Sequence, residues 1–336
     1  MRIDLGQDFS PSFGIYGGAF LFWFQCILFF IPRRIMDKKG ILYAIIAYLM
    51  WGLFPLYWKQ LETIPALQLI GHRIGWSFIL LLFVILFTRQ WQSFRKVAFE
   101  TRTLRIYLLA AVLISVNWFT YVWAVNNGFV VETSLGYYIN PLFSVLLGVI
   151  IFREHLRPIQ WLPIGLAALG VIYLTVTYGS LPWIALTLAF SFGLYGLIKK
   201  TAPLNSLYGL TLETGLMFIP ALTFLMFSEY TGQGAFLHSG LQANWMMVGA
   251  GLVTTVPLLF FASAAPRVPL TTLGILQYVN PTMQFLLGVL LYKEPFTHDR
   301  LIGFGLVWLG LIFFWLEGLY ARRNLASEPL PELGEG

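Results

Sequence analysis

Long apolar stretches, separated by short polar connections, recur along almost the whole chain. A bilayer core of about 30 Å needs roughly 20 apolar residues at a helical rise of about 1.5 Å per residue. Hydrocarbon cannot hydrogen-bond an open strand, so each stretch is expected to be helical. The pattern therefore predicts an all-α polytopic membrane protein with ten transmembrane helices, over residues 41–58, 66–88, 104–126, 131–152, 158–177, 181–198, 207–228, 244–265, 271–292 and 300–320.

Composition agrees with a chain that lies in lipid. Of its 336 residues, 58% are hydrophobic and 11% are charged, whereas a soluble domain carries about a quarter charged residues. The single cysteine, Cys26, excludes an internal disulfide, and the four histidines are too scattered to form a ligand cluster. We therefore predict no metal and no cofactor.

The basic residues predict how the chain crosses the membrane. The net charge of +6 could suggest a nucleic-acid partner, but the preference of cytoplasmic loops for Lys and Arg explains it better. If the first span starts in the cytoplasm, the outside loops hold three basic residues, Lys59, Lys293 and Arg300. The inside loops then hold sixteen: Arg33, Arg34, Lys38, Lys39, Arg89, Arg95, Lys96, Arg102, Arg105, Arg153, Arg157, Lys199, Lys200, Arg267, Arg322 and Arg323. Both ends of the ten-span body are thus predicted to be cytoplasmic, and no nucleic-acid partner is predicted.

A further apolar run, residues 13–31, precedes the ten-span body. Three interpretations remain open: an additional span, a signal-like segment, or translation from a start codon placed too early. No small-residue cleavage pattern follows the run, which disfavours a signal peptide. Met36 and the three polar residues after it would make a good start, so we favour the third interpretation for residues 1–35.

The sequence repeats itself at a shift of 140 residues. YINPLFSVLLGVIIFRE, from Tyr138 to Glu154, aligns with YVNPTMQFLLGVLLYKE, from Tyr278 to Glu294. The alignment pairs two Asn-Pro dipeptides and a glutamate, and it continues through Gly165 with Gly305 and Gly170 with Gly310. The unit is therefore five spans long, over residues 36–178 and 179–320, with a cytoplasmic tail at 321–336. An odd number of spans inverts the second copy in the membrane, and inverted repeats are typical of secondary transporters.

Six segments give the chain its resemblance to a known family. They are WGLFPLYWK at 51–59, HRIGWSF at 72–78, WAVNN at 123–127, ETSLGYYINPL at 132–142, GSLPWIALTLAFSFGLYGLIKK at 179–200 and VTTVPLL at 253–259. With these segments the chain resembles the EamA family of the drug/metabolite transporter superfamily, and within it the RarD, or chloramphenicol-sensitivity, branch. The resemblance covers about residues 37–320. It implies two five-helix EamA-type halves, an inner-membrane location and export of small metabolites or drugs.

Two charged residues stand out because they lie well inside predicted spans, away from the span ends, where a charge costs about 2.5 to 3.5 kcal/mol on insertion scales. They are Arg73 in the second span and Glu213 in the seventh. At a shift of 141 residues, His72 and Arg73 correspond to Glu213 and Thr214. The functional interpretation is that Arg73 and Glu213 line a central substrate cavity, with Glu213 available to a coupling proton. Alternatively Arg73 extends to the interface and Glu213 pairs locally.

Polar side chains on the Asn-Pro helices are the other candidates for substrate contact. They share one helical face in each repeat and form two stripes, Tyr137, Asn140 and Ser144 in the first and Gln277, Asn280 and Gln284 in the second. Proline frees backbone carbonyls, so the asparagines could instead cap these groups. Asn117 in the third span either widens the cavity or bonds a neighbouring helix. Glu154 and Glu294 are expected to pair with the adjacent Arg153 and Lys293.

These features predict a secondary transporter of small molecules that works by alternating access, with protons as the proposed coupling ion. An ATP-driven pump is disfavoured because the chain has no Walker-type phosphate loop. An enzyme would need converging catalytic groups, and none stands out. A channel or a non-transporting scaffold remains the alternative. The lipid bilayer is the predicted surrounding, and the sequence leaves the substrate, the direction of transport and the oligomeric state open.

Overall fold

The computed structural model describes residues 37–127, 129–178, 182–291, 301–303, 305–310, 312–313 and 316. All regular structure in these ranges is helical, and none of the described residues lies in a strand. The predicted all-α class is thus confirmed. Several sequence predictions lie outside the described residues, namely those for segment 1–35, the tail 321–336, Lys293, Glu294 and Arg300.

The helices follow one another with short connections. In chain order they are α1 Lys38–Gly52, α2 Phe54–Trp58, α3 Ala66–Phe87, α4 Trp91–Ala98, α5 Thr101–Asn126, α6 Val130–Ile151, α7 Trp161–Tyr178, α8 Trp183–Thr201, α9 Ser206–Tyr230, α10 Leu241–Ala264, α11 Leu270–Gln277 and α12 Val279–Leu286. A π-helical turn, Leu287–Leu291, extends α12, and 3-10 turns lie at Lys59–Leu61 and Pro158–Gln160.

Six helical segments of the described chain are long and apolar enough to cross a membrane. They are Lys38–Leu61, Ala66–Phe87, Thr101–Ala124, Pro158–Thr177, Ser206–Tyr230 and Leu241–Ala264. Shorter apolar helices lie at Leu135–Ile151 and Leu301–Gly310. Each of these falls on a predicted span, which supports a polytopic membrane protein, while the total of ten spans stays a prediction.

The two Asn-Pro segments fold differently. Helix α6 runs through Pro141 without interruption, whereas the second copy is divided at Tyr278, three residues before Pro281, into α11 and α12. A proline has no amide hydrogen and its ring crowds the preceding turn, which favours a break at this distance without requiring one, since α6 passes Pro141 unbroken. The same dipeptide thus lies in a continuous helix in one repeat and next to an interruption in the other.

Helix α4 lies in what the sequence presents as a basic loop. Its buried residues are Phe94 and Ala98, while Arg95 and Lys96 occupy its last turn. One apolar side and one basic side are typical of a helix that lies along a membrane surface. The loop between α3 and α5 therefore contains a short amphipathic helix that the span analysis did not predict.

Helix packing repeats between the two parts of the chain. Helix α6 packs against α8, and at the 140-residue shift α11 and α12 pack against α1. Helix α5 packs against α8 in the same way as α10 packs against α1. Helix α3 packs against α9 and α10. The largest apolar core lies where these helices meet, with Tyr48, Ile114 and Tyr195 at most 2% exposed.

Large apolar side chains cover the outside of the bundle. Phe87 is 78% exposed, Val176 74% and Ile219 71%. In water such a surface would aggregate, but it matches hydrocarbon. The outer surface therefore fits the lipid surroundings that the sequence predicts.

Candidate functional site

Arg73 on α3 is held between two tryptophans inside the bundle. Its guanidinium carbon lies 4.8 Å from the centroid of the Trp58 ring and 4.6 Å from the centroid of the Trp118 ring. Its Nε donates a hydrogen bond of 2.9 Å to Oγ1 of Thr254 on α10. Aromatic faces attract cations, so these three contacts hold the guanidinium in position.

Two tyrosines complete this site. Tyr121 on α5 and Tyr137 on α6 have ring centroids 5.9 Å apart in an edge-to-face arrangement. Both lie close enough to Arg73 to interact with its charge. We call the set the Arg73 cluster; it comprises Arg73, Trp58, Trp118, Tyr121, Tyr137 and Thr254. It draws on five helices, of which α10 belongs to the second predicted repeat.

No carboxylate that the structure describes pairs with Arg73. The ion pairs among the described residues join Lys199 to Glu213, Lys200 to Glu154, His238 to Glu229 and Arg267 to Asp37. The hydrogen bond from Arg73 to Thr254 has a neutral acceptor. The Arg73 cluster therefore keeps a positive charge that nearby aromatic rings solvate but do not cancel.

Glu213 lies in a different set of contacts. Nζ of Lys199 is 2.7 Å from its Oε1, with side chains 3% and 1% exposed. The hydroxyl of Tyr195 donates to Oε2 at 3.1 Å, and Nζ of Lys199 lies 5.4 Å from the centroid of the Tyr107 ring. None of these partners belongs to the Arg73 cluster. The geometry thus fits the local pairing considered as the alternative for Glu213.

The first polar stripe is divided between two environments. Tyr137 belongs to the Arg73 cluster, while Asn140 and Ser144 are 4% and 5% exposed. The Cβ of Ser144 lies at the close contact of α6 with Gly274 on α11. Oδ1 of Asn140 accepts no hydrogen bond from any described group. Asn140 is therefore a buried acceptor that a ligand or a water molecule could use.

The second stripe is bonded within itself and to α1. Nε2 of Gln284 donates to Oδ1 of Asn280 at 2.9 Å and to the carbonyl of Trp51 at 3.3 Å. Gln277 and Asn280 are 5% and 6% exposed. The side-chain oxygen of Asn280 is thus occupied by Gln284, and this stripe fixes α12 against α1.

Asn117 joins two helices. Its Nδ2 donates to the carbonyl of Leu188 at 2.9 Å and to Oγ of Ser191 at 3.0 Å. This bonding between α5 and α8 is the second of the two interpretations given for Asn117. Trp118, which contacts Arg73, is the next residue along α5.

The expected pairing of Glu154 with Arg153 is wrong. The Glu154 carboxylate instead accepts hydrogen bonds from the amides of Leu270, at 2.7 Å, and Thr271, at 2.9 Å. These are the first amides of α11, where a helix favours negative charge. Lys200 lies 3.7 Å from the same carboxylate. The sequence could not indicate this contact because Glu154 and Leu270 are far apart along the chain.

The profile of the EamA-like transporter family matches residues 38–176 and, a second time, residues 181–316. The chain belongs to the EamA-like transporter family. The predicted family is thereby confirmed, and this EamA-like transporter is a multi-pass membrane protein.

Relatives of this EamA-like transporter match over most of their length. It is 48% identical to the uncharacterized transporter YojE of Bacillus subtilis over 295 residues, 86% of this chain and 98% of the relative. It is 44% identical to the protein RarD of Streptomyces exfoliatus over 291 residues, 86% and 92% of the two chains. A protein of known crystal structure matches with a TM-score of 0.62 at 18% identity, covering 84% of this chain and 98% of that one. The last likeness concerns the fold alone.

Some site residues of this EamA-like transporter escaped the sequence analysis. Trp58 and Thr254 did so because a span-end tryptophan and a threonine are common in membrane helices. Lys199 was counted as a basic residue of an inside loop. The family resemblance could have indicated these residues. The segments that carry it contain four members of the Arg73 cluster, Trp58, Arg73, Tyr137 and Thr254.

Proposed function

We propose that the protein is a secondary transporter, which moves small molecules by exposing one central site to the two sides of the membrane in turn. The observation that carries this proposal is the Arg73 cluster. It holds a cation inside the bundle, between helices of both repeats. Transporters with internal repeats bind their substrates at such an interface.

Two equivalent glycine contacts support an inverted repeat, with its two copies at 36–178 and 179–320. A Cβ built on Gly170 would lie 2.9 Å from the carbonyl oxygen of Gly303, and one built on Gly310 would lie 2.7 Å from that of Pro163. The 140-residue shift converts each contact into the other. In the proposed arrangement, ten spans form two antiparallel five-helix halves, with both ends of this body cytoplasmic, in the inner (plasma) membrane.

Export is the proposed direction. It is supported by the likeness to RarD and by its implied cargo of small metabolites or drugs, such as chloramphenicol-like compounds. A proton gradient is the proposed driving force, and Glu213 is the proposed proton carrier. Its ion pair with Lys199 gives a physical basis, because protonation of the carboxylate would break the pair and release the two helices that carry it.

Metabolite profiling tests this function without a prior choice of substrate. Intracellular and excreted metabolites are compared between a deletion strain and a strain that overexpresses the protein. At least one compound should accumulate in the first strain and be excreted more by the second. Overexpression of Arg73→Ala should not increase the excretion of this compound. Overexpression of Arg105→Gln, at an exposed position, should increase it as the wild type does.

Flux into proteoliposomes separates a carrier from the alternatives. A carrier loaded with the excreted compound shows counterflow, whereas a channel conducts much faster and shows none. Absence of any flux, together with identical metabolite profiles, would favour a non-transporting scaffold and overturn the proposal.

A further inference from the structure

The charges of the described bundle interior do not balance at the Arg73 cluster. Lys199 and Glu213 neutralise each other deep inside the protein. Lys200 lies near the Glu154 carboxylate in the same way. Arg73 has indole rings and a threonine hydroxyl around it, and no described acid. A buried charge without a counter-ion is unfavourable, so this site favours a ligand of opposite sign.

The contacts of the guanidinium show which of its groups remain available. Its central carbon lies 4.8 Å from the Trp58 ring centroid and 4.6 Å from that of Trp118, and Nε is bonded to Thr254. The two terminal nitrogens of a guanidinium carry its other donors. No described residue accepts a hydrogen bond from them at Arg73. Those donors form a fork that matches the two oxygens of a carboxylate.

The walls of the cluster indicate what the rest of the ligand is like. Four partly buried aromatic side chains belong to the cluster, namely Trp58, Trp118, Tyr121 and Tyr137. Rings of this kind favour contact with a flat apolar body. The cluster contains one cation, so a single negative charge would balance it, whereas a second would lack a partner.

We propose that the Arg73 cluster binds small organic monoanions, in which one carboxylate is attached to a flat apolar body. The inference rests on the proposed transport function and narrows the cargo of that site to anions, so that neutral compounds such as chloramphenicol fall outside the class. Arg73 binds the carboxylate through its terminal nitrogens, Thr254 and the two tryptophans hold the guanidinium in place, and the aromatic side chains contact the apolar body. A neutral analogue leaves the Arg73 charge uncompensated, and a cationic analogue is repelled.

Three matched probes test this preference on the purified full-length protein in detergent. They are indole-3-acetate, indole-3-acetamide and tryptamine, which share one ring system and differ in charge. Indole-3-acetate should raise the temperature of thermal unfolding in a concentration-dependent way, and the other two should leave it unchanged. Arg73→Gln should remove the shift. Arg105→Gln, which removes an exposed arginine, should behave as the wild type.

A second variant keeps the test decisive if Arg73→Gln does not fold. Arg73→Lys keeps the charge but loses the fork, so its apparent affinity for indole-3-acetate should fall about tenfold, the worth of one charge-assisted hydrogen bond. The inference is overturned if indole-3-acetamide or tryptamine stabilises the wild type as well as indole-3-acetate does. An absence of any shift, or unchanged affinity in Arg73→Lys, overturns it as well.

Counterflow of labelled indole-3-acetate in proteoliposomes distinguishes this inference from the proposed function. Selective binding without counterflow would leave the anion site standing and contradict transport. Counterflow of indole-3-acetamide at the same rate would leave transport standing and contradict the anion preference.

Discussion

Nζ of Lys199 lies 2.7 Å from Oε1 of Glu213, and the two side chains are 3% and 1% exposed. Lys199 lies in the last turn of α8, and Glu213 is the eighth residue of α9. The ion pair therefore joins two consecutive helices of the second predicted repeat. Tyr195 supplies a further hydrogen bond to the carboxylate. A pair so enclosed costs much desolvation, and its effect is seen best when one partner is removed.

Single substitutions in this pair should destabilise the protein strongly. Glu213→Gln leaves Lys199 buried without a counter-ion, and Lys199→Met leaves Glu213 buried without one. Each substitution should therefore lower the free energy of unfolding by about 3 to 5 kcal/mol. The double variant Lys199→Met/Glu213→Gln leaves neither charge and should recover most of the loss. Thermal unfolding in detergent measures all three. Additive losses in the double variant would show that the two residues do not act as a pair.

The proposed proton coupling has its own test at Glu213. In proteoliposomes, Glu213→Gln should abolish the stimulation of transport by a pH gradient while counterflow without a gradient persists. Glu229→Gln is the matched control, because Glu229 lies on the same helix, is 54% exposed and, among the described residues, forms its ion pair with His238. If Glu213→Gln responds to the gradient as the wild type does, this residue is not the proton carrier.

Much of the helical framework could be predicted from the sequence, because a membrane span needs only a sufficient length of apolar residues. Arg73 was equally visible, since a charge inside a span stands out. Its surroundings were not predictable in the same way. Trp58, Trp118 and Thr254 meet Arg73 only because three separate helices turn those faces inward, and the rotation of one helix against another depends on packing across the whole bundle.

Lys199 shows the opposite difficulty. It lies beside Lys200 at the end of a predicted span, where a basic residue normally reaches the cytoplasmic surface. Its side chain turns inward instead and meets Glu213. The rule for the orientation of spans counts the basic residues of each loop and says nothing of the direction of each side chain. It therefore could not indicate that Lys199 forms an internal ion pair.

Two glycines allow α7 to approach the last described helical segment. An alanine at Gly170 would place its Cβ 2.9 Å from the carbonyl oxygen of Gly303, and one at Gly310 would place it 2.7 Å from that of Pro163. Backbone atoms cannot move aside as a flexible side chain can. Gly170→Ala and Gly310→Ala should each separate the helices and lower the unfolding temperature, by similar amounts because the contacts are equivalent.

Matched controls lie five residues away in each repeat. A Cβ at Gly165 or at Gly305 would meet no atom within 4 Å, and alanine is the better helix former by roughly 0.5 to 1 kcal/mol. Gly165→Ala and Gly305→Ala should thus leave stability unchanged or raise it slightly. Equal losses at all four positions would mean that the close approach of the helices is not what the glycines provide.

The proposed inverted arrangement makes a prediction about Arg153 and Lys293, which lie near the ends of the two copies of the Asn-Pro segment. Arg153 and Lys293 correspond at the 140-residue shift, so in antiparallel halves they face opposite sides of the membrane. With Cys26 replaced by serine, Arg153→Cys should react with a membrane-impermeant maleimide only in inverted vesicles, and Lys293→Cys only in intact cells. Arg105→Cys, at an exposed position that the distribution of basic residues predicts to be cytoplasmic, serves as the control for sidedness. If both cysteines were labelled from the same side, the two halves would be parallel, and a site exposed alternately by inverted repeats would have to be abandoned.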